Sequence, residues 1–328
     1  MRRPLAVIVR VAVSAGLLAL VGARLDWREA LAALARVRAT TLLACTALAL
    51  VGYGGRALRW AYLLRHAGVA VSRREAYRLT LVGIFYGLVT PGRVGELARA
   101  LHLEAPGERT LPSVVWDRFA DVLLLELLSI PAFTVLALGG SGAPRGGPGP
   151  LLWAYLAIVG LTAGAMIAMD SPRLLAWLER RIPRAAGRLE AWRAGATGML
   201  RSRAFARGLV AGLFFYALNF AGASLLLDAL APGHPGALVL MFPVIILLGN
   251  LPIAFGGLGL REQVSAMAFA RLGAPAAVGP VFSLLWFLVI SVVPALLGLA
   301  TVHTRWGGRA VTLPSRAHGA TPGRGSDA

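Results

Sequence analysis

Apolar stretches too long for the interior of a water-soluble domain set the first constraint on this chain. Residues 5–23, 42–64, 151–169, 209–230 and 281–302 each approach or exceed the roughly 20 residues that a helix needs to cross about 30 Å of hydrocarbon. A soluble domain must cover its surface with polar groups, and 57% hydrophobic against 15% charged residues leaves too few of them. Lipid is the expected solvent. Arg2 and Arg3 ahead of the first run resemble the start of a signal peptide, but that run contains Arg10 and leads into further spans, so it is expected to persist as a first helix.

A formal charge of +18 would point to nucleic acid in a soluble protein. Here the arginines lie between and beside the apolar runs, which assigns them to membrane orientation and lipid headgroups, and no nucleic-acid partner is expected. The chain has no lysine, so arginine at any one site is not by itself a sign of bidentate chemistry. Cys45 is the single cysteine and His66, His102, His234, His303 and His318 are scattered without ligand spacing, so neither a metal nor a cofactor is expected. Gly139-Gly-Ser-Gly-Ala143 misses the last glycine of a nucleophile elbow.

Orientation follows from the short loops. Residues 173–207 hold the densest positive cluster, including Arg173, Arg180, Arg181, Arg188 and Arg193, and the tail holds Arg305, Arg309, Arg316 and Arg324; both are expected in the cytoplasm. Three full crossings between them would put the tail outside. The parity is restored if residues 237–272 enter and leave on the outer face, and Pro252, Gly256, Gly257 and Gly259 break any helix in their middle. Residues 79–101, broken at Thr90-Pro-Gly-Arg-Val-Gly-Glu96, are expected to do the same on the cytoplasmic face. A net-positive first outer loop, with Arg24, Arg28, Arg36 and Arg38 against Asp26 and Glu29, runs against this scheme.

The expected fold is all-α: a polytopic membrane helix bundle of about six crossing helices with two broken re-entrant segments arranged as an inverted repeat. Residues 1–305 form the transmembrane domain, with 171–205 as a cytoplasmic amphipathic connector on the inner leaflet and 139–150 as an outer loop. Residues 306–328 are expected to be a disordered polar tail. Both termini are expected in the cytoplasm, and the protein in the cytoplasmic membrane.

Non-helical backbone at membrane depth survives only against protein or a water-filled cavity. A half-helix restarting after a break points free N–H groups and a positive dipole end inward, which suits an anion. The candidate substrate-binding residues are therefore Arg93, Glu96 and Arg99 at the first break, and Asn250, Gly256, Gly257, Gly259, Arg261 and Glu262 at the second. The alternative is that Glu96 and Glu262 only cap helix starts while the arginines snorkel to the interface. Asp117, Arg118 and Asp121 share a helix that starts near Val114, with the carboxylates at i, i+4; they bind substrate or form an ion pair that orients the helix. Arg56 and Arg59, beside Trp60 and Tyr62, are either substrate contacts, Arg59 foremost, or an interface belt. Glu126 lies deeper on the same helix as Asp121 and needs a partner.

Four blocks in order resemble the lysylphosphatidylglycerol synthase/flippase transmembrane family: Arg56-Ala-Leu-Arg-Trp60, Thr90 to Glu96 with Arg99, Ser113-Val-Val-Trp-Asp-Arg-Phe-Ala-Asp121, and Leu251-Pro-Ile-Ala-Phe-Gly-Gly-Leu-Gly-Leu-Arg-Glu262. Asp117 stands where the family more often has Glu, which keeps the carboxylate. The resemblance implies a polytopic inner-membrane protein, some of whose members translocate aminoacylated phospholipid or act in lipid-linked glycan and envelope pathways; the expected function here is a flippase-like transporter whose substrate is an anionic phospholipid or a polyprenyl-phosphate-linked lipid. No counterpart of the soluble aminoacyl-transferring domain of bifunctional members is expected after Val302. Two rivals stay open: a membrane transferase using Asp117, Asp121 or Glu262 as acid or base, and an accessory subunit that holds a membrane enzyme of the same pathway.

Overall fold

The computed structural model describes residues 25–105, 107–138, 150–181, 196–233, 236–249, 258–271, 273–275, 277–306 and 311–312, with isolated positions between 16 and 23. Most of the expected first helix, the loop at 139–149, the turn of the second break and residues 313–328 lie outside the described residues.

The described chain is a bundle of helices: α1 Trp27–Ala35, α2 Ala39–His66, α3 Arg73–Val89, a 3₁₀ helix Pro91–His102, α4 Gly107–Leu138, α5 Pro150–Asp170, α6 Pro172–Arg181, α7 Arg203–Leu230, α8 Ala237–Leu240, α9 Phe242–Gly249, α10 Leu260–Arg271, α11 Val278–Phe287 and α12 Val293–Ala300. Several starts are written in the sequence. Ser72 accepts the Glu75 N–H at 3.2 Å in a Ser-x-x-Glu capping box, and Ser202 accepts the Phe205 N–H at 3.0 Å. Among the described residues, Ala39–His66, Arg203–Leu230 and Val278–Ala300 are long and apolar enough to cross a membrane. The last of these contains a π turn at Leu288–Val292, and the Tyr53 hydroxyl donates to the Ile290 carbonyl that the turn leaves available.

Glycine sets how closely α2 and α7 approach. A Cβ on Gly52 would stand 2.9 Å from Asn219 Nδ2, and one on Gly55 would run into the Ala211 carbonyl oxygen. Helices in lipid gain little from burying apolar surface, so such contact between small residues is a main source of their association. The same device folds the chain back after Thr90. A Cβ on Gly83 would lie 3.0 Å from Arg99 Cδ and one on Gly87 would lie 2.5 Å from Glu96 Cγ, so the 3₁₀ helix runs back along the glycine face of α3. On the other side of the second break, a Cβ on Gly249 would lie 3.0 Å from Arg261 Cβ, which sets α10 against the end of α9.

The chain after α12 is tied down. Arg78 donates to the Thr301 carbonyl at 2.8 Å and pairs with Glu75 at 2.5 Å. The Trp306 N–H donates to Glu75 Oε2 at 2.9 Å, and its indole stacks on Tyr77. Burial alone would push the Glu75 carboxyl up, but Arg78 and the Trp306 N–H together hold it below its usual range. Val311 and Thr312 (β2) then pair antiparallel with Ala70 and Val69 (β1). This corrects the expected tail at its near end, where two β-branched residues find a strand partner in place of disorder.

Candidate functional site

The charged groups of the first half converge on one buried network. α2 contributes Arg56 and Arg59, one turn apart. The 3₁₀ helix contributes Glu96 and Arg99, and α4 contributes Asp117, Arg118 and Asp121. A 3₁₀ helix has three residues per turn, so Glu96 and Arg99 stack one above the other on its inner side, 2% and 1% exposed. The expected restart as an α half-helix is thereby corrected. Thr90 secures the turn, its hydroxyl accepting the Gly95 N–H at 2.7 Å and donating to the Tyr86 carbonyl at 2.6 Å.

Distances within the network are short. Arg59 reaches Asp117 and Asp121, each at 2.6 Å, and Arg99 bonds the other oxygen of Asp117. Arg56 pairs with Asp121 at 2.7 Å and with Glu96 at 3.3 Å. Arg118 bridges Glu96 at 2.8 Å and Asp121 at 3.1 Å. Arg56, Arg59 and Trp60 are all buried, so they are not an interface belt. α4 begins at Gly107, about two turns before the expected start near Val114, and Trp116 inside it is fixed by its indole N–H donating to the Ala196 carbonyl at 3.0 Å, while Arg99 stacks 4.3 Å over the Trp60 ring. α7 leaves room for Arg59 by presenting Gly208 and Gly212, where a Cβ would come within 3.1 Å of Arg59 Cγ and 3.0 Å of its Nη1.

A cavity of about 380 Å³ opens beside this network and reaches the second half of the chain. Arg56, Glu96, Arg118 and Asp121 line one side; Arg261 and Ser283 line another. Apolar side chains including Phe119, Leu125, Phe215, Ile245 and Ile290 form the rest. Arg59, Arg99 and Asp117 stand behind this lining and hold it. Arg118 is the most exposed member, with 29% of its side chain accessible.

At the second break Gly259 has φ +83°, a conformation that an L side chain adopts only with strain, and its N–H donates to Glu262 Oε2 at 2.6 Å. Glu262, the third residue of α10, is thus the glutamate half of a capping box in the first turn. Its other oxygen accepts from Ser283 at 3.0 Å and pairs with Arg261 at 3.2 Å. Glu262 caps and also aims; Arg261 faces the cavity. The Arg261 guanidinium is further fixed 4.1 Å over the Phe287 ring. The side chain of Arg93, and Asn250, Gly256 and Gly257, lie outside the described residues.

Sequence reasoning named Arg56 among the possible substrate contacts but put Arg59 foremost, whereas Arg56 lines the cavity and Arg59 stands behind it; it missed Tyr216, Asn219 and Ser283 altogether. Arg56 and Arg59 share a helix face one turn apart, so spacing alone could not rank them. Tyr216, Asn219 and Ser283 carry no local signal, and their place depends on how α7 and α11 dock.

The network can hold an anion. Four arginines face three carboxylates, one positive charge in excess among the described members, in a setting where charge attraction is weakly screened. Comparison with known proteins gives one match: a family model described as the lysylphosphatidylglycerol synthase TM region covers residues 7–298. No curated protein and no solved structure matches the chain.

Proposed function

The chain belongs to the lysylphosphatidylglycerol synthase TM-region family, and on that premise we propose that it moves a lipid or lipid-linked anionic substrate between the leaflets of the cytoplasmic membrane. The observation that carries this reading is the single cavity lined by Arg56 and Arg118 from the first half and by Arg261 from the second. Its arginines suit a phosphate, and its apolar wall suits the first part of an acyl or prenyl chain. The transferase reading gains nothing from the geometry, because arginines engage all three of its acid or base candidates, Asp117, Asp121 and Glu262.

Liposomes containing the purified chain and a headgroup-labelled phosphatidylglycerol test the proposal. Labelled lipid should cross between leaflets, and Arg261→Gln and Arg118→Gln should each slow it about tenfold or more, since a lost hydrogen bond to a charged group costs about 1.5–3 kcal/mol. Product formation without movement would favour the transferase; no activity until a partner enzyme is added would favour the accessory subunit. Unchanged rates in both variants would move the substrate out of this cavity.

Cytoplasmic termini and two re-entrant hairpins opening to opposite faces complete the proposal. In a Cys45→Ala background, Gly233→Cys and Ala274→Cys should react with an impermeant thiol reagent from outside, and Arg188→Cys and Arg316→Cys only after permeabilisation. Opposite sidedness of Gly233 and Ala274 would make the segment between them a through-crossing and end the inverted-repeat scheme.

A further inference from the structure

Deep in the bundle α4 carries a carboxyl that the ion network does not use. Glu126 lies five residues beyond Asp121, about 140° further around the helix, so it faces away from the network. It is 4% exposed. Thr162 of α5 stands beside its side chain, and the Tyr155 hydroxyl donates to its backbone carbonyl at 2.9 Å. Glu126 Oε1 has no hydrogen-bond partner among the described residues.

Among the described residues the surroundings offer no counter-charge. α5 presents Tyr155 as the titratable group beside it, and α8 and α9, which also pack on α4, contain no titratable side chain. α2, α7 and the 3₁₀ helix commit Arg56, Arg59, Tyr216, Glu96 and Arg99 to the network around Asp117 and Asp121. An ionised carboxylate out of water with no cation beside it is strongly disfavoured, and a bound proton removes that penalty.

We propose that Glu126 is a proton-binding site inside the membrane, distinct from the anion cavity, which exchanges a proton reversibly with water. It is placed to affect the cavity. Its neighbour Leu125 lines that space, and Pro131 within the same helix removes the hydrogen bond to the Leu127 carbonyl, leaving a point where α4 bends readily. Gain or loss of the proton changes the charge between this point and Asp121. That this couples protons to substrate movement rests on the transport reading; the proton site itself does not.

Infrared difference spectra of the full chain in nanodiscs, stepped between neutral and alkaline pH in H2O and D2O, test the site. A deuteration-sensitive carbonyl stretch of a protonated carboxyl should appear in the wild type, vanish in Glu126→Gln, and shift in frequency in Thr162→Val. A band that survives in Glu126→Gln overturns the proposal. If Glu126→Gln does not fold, Thr162→Val decides alone, and an unshifted band overturns it. In liposomes, an imposed pH difference should change the rate of lipid movement by wild type and not by Glu126→Gln. A rate indifferent to the pH difference in both overturns the coupling, and a wild type that moves no lipid counts against the transport reading while the spectrum still judges the site.

Discussion

Arg59→Met should remove most of the folded protein. The side chain is fully buried between α2, α4 and α7, and two carboxylates depend on it at 2.6 Å. Methionine fills similar space but leaves Asp117 and Asp121 short of a cation, and Asp117 has no exposed surface at which solvent could replace it. Breaking one side of a buried ion network in this way costs about 3–5 kcal/mol, a large part of the stability of most folded domains. Unfolding of detergent-solubilised protein, followed by heat and by denaturant, measures it. The double variant Arg59→Met with Asp117→Asn should recover part of the loss, because it removes the stranded charge along with its partner. A single variant within about 1 kcal/mol of wild type would mean that water reaches the network and that its members are not desolvated.

Gly55→Val should be nearly as damaging, for a reason that involves no charge. The added branch would press on the Ala211 carbonyl oxygen, part of a helix backbone, and no rotamer change can move that atom away. Separating α2 from α7 would also take away the floor that Gly208 and Gly212 give to Arg59. A loss of about 3 kcal/mol is expected, at the upper end for an overfilled packing site. Gly54→Val is the matched control, since a Cβ on Gly54 meets nothing within 4 Å. Equal stability of the two variants would show that the seam is loose. The same unfolding measurement on both settles the comparison.

These two residues also show which parts of the molecule could be read from the chain alone. The apolar runs, the breaks at Thr90 and at Gly256 to Gly259, and the pairing of Arg118 with Asp121 follow from local composition and helical spacing, and the structure contains the α helices and the ion pair. The 3₁₀ helix was legible too, though it was read as α: Arg93, Glu96, Arg99 and His102 recur strictly every third residue, which matches three residues per turn better than 3.6. The division of the arginines was not legible. Whether Arg56 or Arg59 faces the cavity depends on the glycine seam of α7, in the second half of the sequence and far from either arginine. Nor did the chain announce that Glu262 takes Ser283 as a third partner beside Gly259 and Arg261, because Ser283 reaches it only once α11 has docked on α10.

The strap formed by Arg78, Glu75, Trp306 and the paired strands at Val69–Ala70 and Val311–Thr312 also imposes an order on biogenesis. α3 and the returning 3₁₀ helix are synthesised long before the segment that fastens their corner. At ribosomal speeds of about 5–20 residues per second, that corner waits on the order of ten seconds or more with Arg78 lacking the carbonyl it will hold. During that interval the newly inserted hairpin is held by its contacts with α2 and, once that helix is made, by the ion pairs of α4, and the chain that follows α12 closes the corner.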